Sequence, residues 1–122
     1  MERELMARTI REWTCEYASA SEAGDYLQVL FEQTEDSDKR YILIQSQFEF
    51  PQDYDVKVET DGGEWYAELT VERATLDRRR LVIDGCDDAE PVRIVVNHVA
   101  DDAIYAELKR VLLIMLPAID VK

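Results

Sequence analysis

The spacing of apolar residues changes once along this chain, and that change constrains the fold more than any other feature. Trp65, Ala67, Leu69 and Val71 are separated by single residues, mostly polar ones, which is the two-residue period of a half-buried β-strand. Near the C-terminal end the period becomes helical. There the apolar positions fall at i, i+4, i+7, i+8 and i+11, at Ile104, Leu108, Val111, Leu112 and Met115.

Capping residues delimit the predicted helix. Asp101 is a good N-cap, Asp102 favours the positive end of the helix dipole, and Pro117 marks the stop, so the helix is predicted from about Asp101 to Met115. A single helix with one apolar face, following a series of strands, is expected to pack across a face of the sheet.

Five further segments are predicted to be strands because they are rich in β-branched and aromatic residues or alternate in polarity. They are Thr9–Ala18, Tyr26–Gln33, Arg40–Phe50, Thr75–Ile83 and Val92–Val99. Ser19–Asp25 and the acidic stretch Asp84–Pro91 are predicted to be loops, and Tyr26–Gln33 with Arg40–Phe50 an antiparallel hairpin. The fold class predicted is therefore α+β, with a mostly antiparallel sheet of about six strands. No linker divides the 122 residues, which predicts one domain over residues 1–122.

Acidic charge is concentrated between Glu16 and Glu72. That stretch contains 15 of the 27 Asp and Glu residues but only three of the 14 Lys and Arg residues, so the rest of the chain is nearly balanced. A field of one sign over half of a small domain repels nucleic acid and anionic membranes and attracts a basic partner. The sequence therefore predicts a basic protein partner, with no nucleic acid and no membrane.

A partner-binding surface is predicted within this acidic stretch. Its carboxylates stand beside aromatic residues, and exposed aromatics next to charge are common anchors of protein interfaces. The alternative is a solvated face that keeps the protein soluble. The predicted partner-binding residues are Glu49, Asp53, Tyr54, Asp55, Glu59, Asp61, Glu64, Tyr66 and Glu68, with Trp65 as a further aromatic.

No catalytic or metal-binding signature is recognised. His98 is the only histidine and shares a predicted strand face with apolar residues, so it is interpreted as structural. The segment 84–90 lacks the ligand spacing of a calcium-binding loop. The arginines of Asp77–Arg80 are interpreted as part of a charged sheet face. The expectation is a protein that is not an enzyme, with no catalytic residues, no metal and no cofactor.

The expected location is the cytoplasm. The first residues are acidic where a secretory signal would begin with basic residues, and the longest apolar run, Val111–Pro117, is too short to span a bilayer. The two cysteines, Cys15 and Cys86, suit a reducing compartment better than a disulfide scaffold.

A family resemblance covers roughly residues 26–116. The strand beginning Tyr41-Ile42-Leu43-Ile44-Gln45 is followed by an aromatic-x-Glu motif, Tyr66-Ala67-Glu68. The chain then closes with the strand Val92–Val96 after Pro91 and the helix introduced by Asp101-Asp102-Ala103. This order resembles the immunity protein 10 family of bacterial polymorphic toxin systems.

The resemblance implies a curled antiparallel sheet with a C-terminal helix. It also implies a cytoplasmic protein that binds and neutralises a cognate toxin, for which a nuclease is our first expectation. Two alternatives stay open: a small-ligand or enzymatic domain with a sheet pocket near His98, and a structural subunit whose strand edge pairs with another copy.

Overall fold

The computed structural model describes residues 9–24, 26–34, 40–47 and 54–122. Strands make up 63% of it, in one nine-stranded sheet with a single C-terminal helix, so the predicted α+β class with about six strands is wrong and the domain is mostly β. The elements in chain order are β1 Thr9–Cys15, β2 Tyr17–Ala23, β3 Tyr26–Glu32, β4 Tyr41–Gln47, β5 Val56–Thr60, β6 Trp65–Leu76, β7 Arg80–Asp87, β8 Glu90–His98, α1 Asp102–Met115 and β9 Asp120–Val121.

Four of the predicted segments need correction. The predicted strand Thr9–Ala18 breaks at Glu16. The predicted loop Ser19–Asp25 lies largely in β2, and the predicted loop Asp84–Pro91 lies mostly in β7 and β8, with only Asp88 and Ala89 between them. The predicted strand Thr75–Ile83 contains the turn between β6 and β7, where the Asp77 carboxylate accepts hydrogen bonds from the backbone N–H groups of Arg79 and Arg80, both 2.8 Å long. A side chain that caps a turn in this way competes with continued strand pairing.

The sheet is strongly curled. Its strand order is β1-β8-β7-β6-β5-β4-β3-β2, with β9 added beside β6. The two outermost strands, β1 and β2, are separated in sequence by Glu16 alone, so the two edges of the sheet must meet there. The Glu16 N–H donates a 3.0 Å hydrogen bond to the Glu32 carbonyl oxygen, which anchors this corner.

The long strand β6 joins the two halves of the sheet. Residues Trp65–Leu69 pair with β5, whereas residues from Thr70 to Leu76 pair with β7. The register shifts between Val71 and Arg73, and such a bulge bends and twists a strand. Most neighbours are antiparallel, but β1 runs parallel to β8 and β9 runs parallel to β6.

The core fills the concave side of the sheet. On β8 the inward side chains Val92, Ile94, Val96 and His98 are all buried, which confirms the shared face predicted for them. Helix α1 covers this concave side and packs against β2 and β3. The inward positions of β2 include the small residues Ala18 and Ala20, which let the helix approach closely.

Helix α1 confirms the prediction from periodicity. The Asp101 side chain accepts a 2.8 Å hydrogen bond from the Ile104 N–H, so Asp101 is the N-cap, and the helix ends at Met115. Leu108, Val111 and Leu112 are fully buried. Within the described ranges no helix is long and apolar enough to cross a membrane.

Candidate functional site

Strands β2 to β6 present an outward surface on which tyrosines and carboxylates are brought together. Cross-strand partners place Tyr17 beside Glu32 and Glu32 beside Tyr41, so these three side chains form one row across β2, β3 and β4. A second row contains Leu30, Leu43, Glu59 and Tyr66, and a third contains Gln28, Gln45, Lys57 and Glu68. Tyr26 and Gln47 lie in a fourth row. We call this outward surface of β2–β6 the tyrosine face.

The tyrosines of this face are accessible. Tyr17, Tyr26 and Tyr66 are 40–50% exposed, although large aromatic side chains usually lose most of their exposure in a folded domain. Tyr41 is partly buried. Tyr54, just before β5, joins them at the margin, where the Lys57 ammonium lies 5.9 Å from its ring centroid. Five of the six tyrosines in the chain therefore lie on or beside one surface.

Hydrogen bonds hold two of these tyrosines in place. The Tyr41 hydroxyl donates to the Glu59 carboxylate at 3.0 Å and accepts from the Gly62 N–H at 2.7 Å. The Tyr66 hydroxyl donates to Glu68 at 2.9 Å. For both tyrosines the pKa is raised, first by burial and then by the hydrogen bond to the carboxylate. Both phenols therefore stay protonated at neutral pH and act as hydrogen-bond donors.

The charge on the tyrosine face is predominantly negative. Of its described side chains, Glu32, Glu59 and Glu68 are acidic and Lys57 is basic. The pKa of Lys57 is raised, chiefly by its hydrogen bond to Tyr54, so the ammonium stays charged. Lys57 lies directly across from Glu68, so the surface has a charge pattern as well as a net sign.

The structure separates the predicted site residues into three groups. Glu59, Tyr66 and Glu68 lie on the tyrosine face, Tyr54 lies at its margin, and Glu64 is exposed in the neighbouring turn. Two other predicted residues are used by the fold. Asp55 accepts a 2.8 Å hydrogen bond from the Val71 N–H at the bulge, and Asp61 accepts one of 2.8 Å from the Tyr41 N–H. Glu49 and Asp53 lie outside the described residues.

Trp65 does not lie on the tyrosine face, although it was predicted as a further aromatic of the partner-binding surface. Its side chain points inward and packs on Trp13, with ring centroids 6.4 Å apart, and the Arg11 guanidinium lies 4.2 Å from the Trp65 ring centroid. The alternation along β6 places Trp65 on the side of Ala67 and Leu69, which are buried.

Sequence reasoning missed Tyr17, Tyr26 and Tyr41. The available signal for Tyr26 and Tyr41 was the alternation along β3 and β4, whose buried positions begin at Leu27 and Ile42 and so place both tyrosines on the opposite face. His98 lies away from the tyrosine face, at the end of β8. Among the described residues no group of three His, Cys, Asp or Glu side chains could hold a metal ion.

Comparison with known proteins adds no relative: no protein-family model, no curated protein and no solved structure matches this chain.

Proposed function

We propose that this chain is a cytoplasmic bacterial immunity protein that binds and neutralises a basic protein toxin through the tyrosine face. It acts by occupying the toxin's functional surface and carries out no catalysis of its own. The observation that carries this proposal is the presence of Tyr17, Tyr26, Tyr41 and Tyr66 on one outward sheet surface, among carboxylates. The resemblance to the immunity protein 10 family supports the same function.

The tyrosines supply the contact energy. A tyrosine offers a large apolar ring together with a hydroxyl that can bond to the partner, which is why tyrosine is enriched among the residues that dominate binding energy. Tyr41 and Tyr66 are already held by Glu59 and Glu68. Side chains fixed before binding lose less rotational freedom when the complex forms, so more of the contact energy appears as affinity.

The carboxylates guide the encounter with the partner and make binding selective for a partner of positive charge. An acidic surface accelerates the encounter with a cationic partner and disfavours partners of the same charge. A toxin that cleaves nucleic acid needs basic residues to bind phosphate, and an acidic inhibitor can imitate that phosphate. A nuclease toxin is therefore the class that fits the charge of this surface best.

Strand pairing within the sheet leaves the backbone of β3, β4 and β5 unavailable to a partner. Strands β3, β4 and β5 each have a hydrogen-bonded neighbour on both sides. The partner therefore binds the side chains of the tyrosine face and does not add a strand to these positions. The aliphatic pair Leu30 and Leu43 lies in the middle of the surface, where an apolar contact would exclude water.

A survival assay tests the proposal. The toxin candidate is the product of the gene directly upstream, expressed in a heterologous bacterium with and without this chain. We expect growth only when the chain is present. The variant Glu59→Lys/Glu68→Lys is expected to lose protection, because it replaces attraction by repulsion of a basic partner.

The matched control is Glu12→Lys/Glu107→Lys, which changes the net charge by the same amount. Glu12 lies on β1 and Glu107 on α1, both exposed and both off the tyrosine face. Protection should persist in this control. Survival with the Glu59→Lys/Glu68→Lys variant, or an upstream product that does not inhibit growth, would contradict the proposed function.

A further inference from the structure

A second surface feature lies where β1 and β8 end and the turn joins β6 to β7. It is a cavity of about 670 Å³, within the usual size range of small-molecule sites. Its wall includes Cys15, Arg78, Arg79, Arg80, His98 and Lys122. None of these residues belongs to the tyrosine face, so the cavity is independent of the proposed toxin-binding surface.

His98 is buried in the wall of this cavity, where its side chain is only 4% exposed. The backbone of Asp77 lies close to the imidazole and partly opposes the lowering of its pKa by burial, but neither Nδ1 nor Nε2 makes a hydrogen bond of good geometry with the described residues. The Phe31 ring, 5.5 Å away between centroids, packs against the imidazole and restricts its orientation. A buried polar group that lacks partners is costly, and such groups normally bond to protein, water or a ligand.

The cavity is positively charged, although the chain as a whole has a net charge of −13. Four of its lining residues are Arg or Lys and one is acidic, Asp77. The Asp77 carboxylate is occupied by two backbone N–H groups of the turn. A cavity of this sign within an acidic protein favours an anion over every cationic ligand.

Two of the four cations are neutralised by carboxylates and two are not. Arg78 pairs with Asp102 at 2.8 Å and Lys122 with Asp120 at 2.9 Å. Arg80 bonds only to the neutral amide oxygen of Asn97, at 3.0 Å, and the Arg79 side chain has no partner within the described part of the chain. Two guanidinium groups thus remain for an anionic ligand.

We propose that this cavity binds a small organic phosphate, with Arg79 and Arg80 holding the phosphate group and His98 bonding to the ligand from the buried wall. Guanidinium groups bind phosphate oxygens through paired, charge-assisted hydrogen bonds. The cavity volume exceeds what a free phosphate ion fills. Val99 and Cys15 line a part of the wall that an uncharged organic group of the ligand would contact. Burial lowers the pKa of His98, so the neutral ring offers one donor and one acceptor near neutral pH.

The single histidine makes a direct test possible, because its imidazole proton signals in an NMR spectrum have no overlap from other histidines. Phenyl phosphate serves as the probe, with inorganic phosphate and benzoate titrated in parallel. We expect a saturable shift of the His98 signals, with phenyl phosphate binding more tightly than either other probe. Arg79→Gln/Arg80→Gln should weaken phenyl phosphate binding at least tenfold, about the effect of losing one charge-assisted hydrogen bond.

Arg73→Gln/Lys109→Gln is the control, since it removes two positive charges from exposed residues that do not line this cavity. It should leave phenyl phosphate binding within about twofold, because distant surface charge is screened by salt. No saturable shift, or equal binding by the Arg79→Gln/Arg80→Gln variant, would overturn the proposal. Tighter binding of benzoate would overturn the assignment to phosphate. The Arg79→Gln/Arg80→Gln variant should still protect against the toxin, so failure here and failure of the proposed function can be told apart.

Discussion

The backbone of Gly85 lies directly against that of Thr70, with no room for a side chain between them. A Cβ atom at position 85 would overlap the Thr70 carbonyl oxygen and lie 3.2 Å from the Cα of Val71. This contact occurs where β6 leaves β5 and begins to pair with β7, beside the register shift. The absence of a side chain at Gly85 therefore allows the two halves of the curled sheet to join.

Gly85→Ala should destabilise the protein because the added methyl group meets backbone atoms, which cannot rotate away. We expect the free energy of unfolding to fall by about 1–3 kcal/mol, as for other overpacked interior sites. Equilibrium urea unfolding measures this. Asp87→Ala, two residues further along β7, should change stability by no more than about 0.5 kcal/mol. Equal losses for the two variants would mean that the close contact has no energetic consequence.

Helix α1 provides a second comparison, between two adjacent leucines. Leu112 is fully buried against the sheet, whereas Leu113 is 41% exposed. Leu112→Ala should lower the free energy of unfolding by about 2–5 kcal/mol through lost burial and the cavity left behind. Leu113→Ala should cost only about 0.5 kcal/mol. Thermal or urea unfolding distinguishes them, and a larger loss at Leu113 would show that the helix packs through a different face.

Charge on the tyrosine face should control the rate of association with the proposed toxin. Exposed charges steer the encounter, and salt screens them over a Debye length of about 8 Å at physiological ionic strength. The association rate should fall as salt rises, and Glu59→Lys/Glu68→Lys should slow association and reduce that dependence. Stopped-flow binding across a salt series tests this. Asp55 is left unchanged because it caps the Val71 N–H. A salt-independent rate for the unmutated protein would remove the steering argument.

Tyr66 should control how long the complex lasts. Its ring is half exposed in the free protein and would be desolvated in the complex. Tyr66→Ala should therefore raise the dissociation rate much more than it lowers the association rate, since anchor residues act mainly through dissociation. Surface plasmon resonance separates the two rates. Tyr105→Ala is not a useful control because Tyr105 is buried. Leu113→Ala serves instead, and the complex formed by this variant should dissociate at the unmutated rate.

The two cysteines should differ in reactivity. Burial raises the pKa of the Cys15 thiol to about 11, whereas Cys86 is only partly buried. Because the thiolate is the reactive form, iodoacetamide at pH 8 should modify Cys86 in the folded protein and Cys15 only after unfolding. Mass spectrometry should find one modification in buffer and two in urea. Rapid modification of Cys15 in buffer would contradict the burial.

The raised pKa of Cys15 also has a consequence for stability. The folded state favours the protonated thiol. The contribution of this thiol to the free energy of unfolding is therefore complete below the ordinary thiol pKa of 9.0 and is lost as pH rises toward about 11. Cys15→Ala should reduce the loss of stability in that alkaline range, which urea unfolding at several pH values would measure.

Residue spacing alone places the elements whose side chains alternate strongly. The inward faces of β3, β4, β6 and β8 and the apolar face of α1 follow from residue spacing, because strand and helix periods are properties of the local backbone. The acidic segment and the N-cap at Asp101 were likewise visible in the sequence.

The remaining features depend on contacts between distant parts of the chain. The segment Tyr17–Ala23 is small and polar, and it forms β2 because β3 supplies its hydrogen-bond partners and helix α1 covers Ala18 and Ala20. The tyrosine face depends on the register of five strands, and the cavity at His98 depends on the parallel pairing of Cys15 with His98. Local periodicity indicates which side of a strand is buried but does not indicate which strand lies beside it. That choice is made by backbone hydrogen bonding and core packing between residues far apart in sequence.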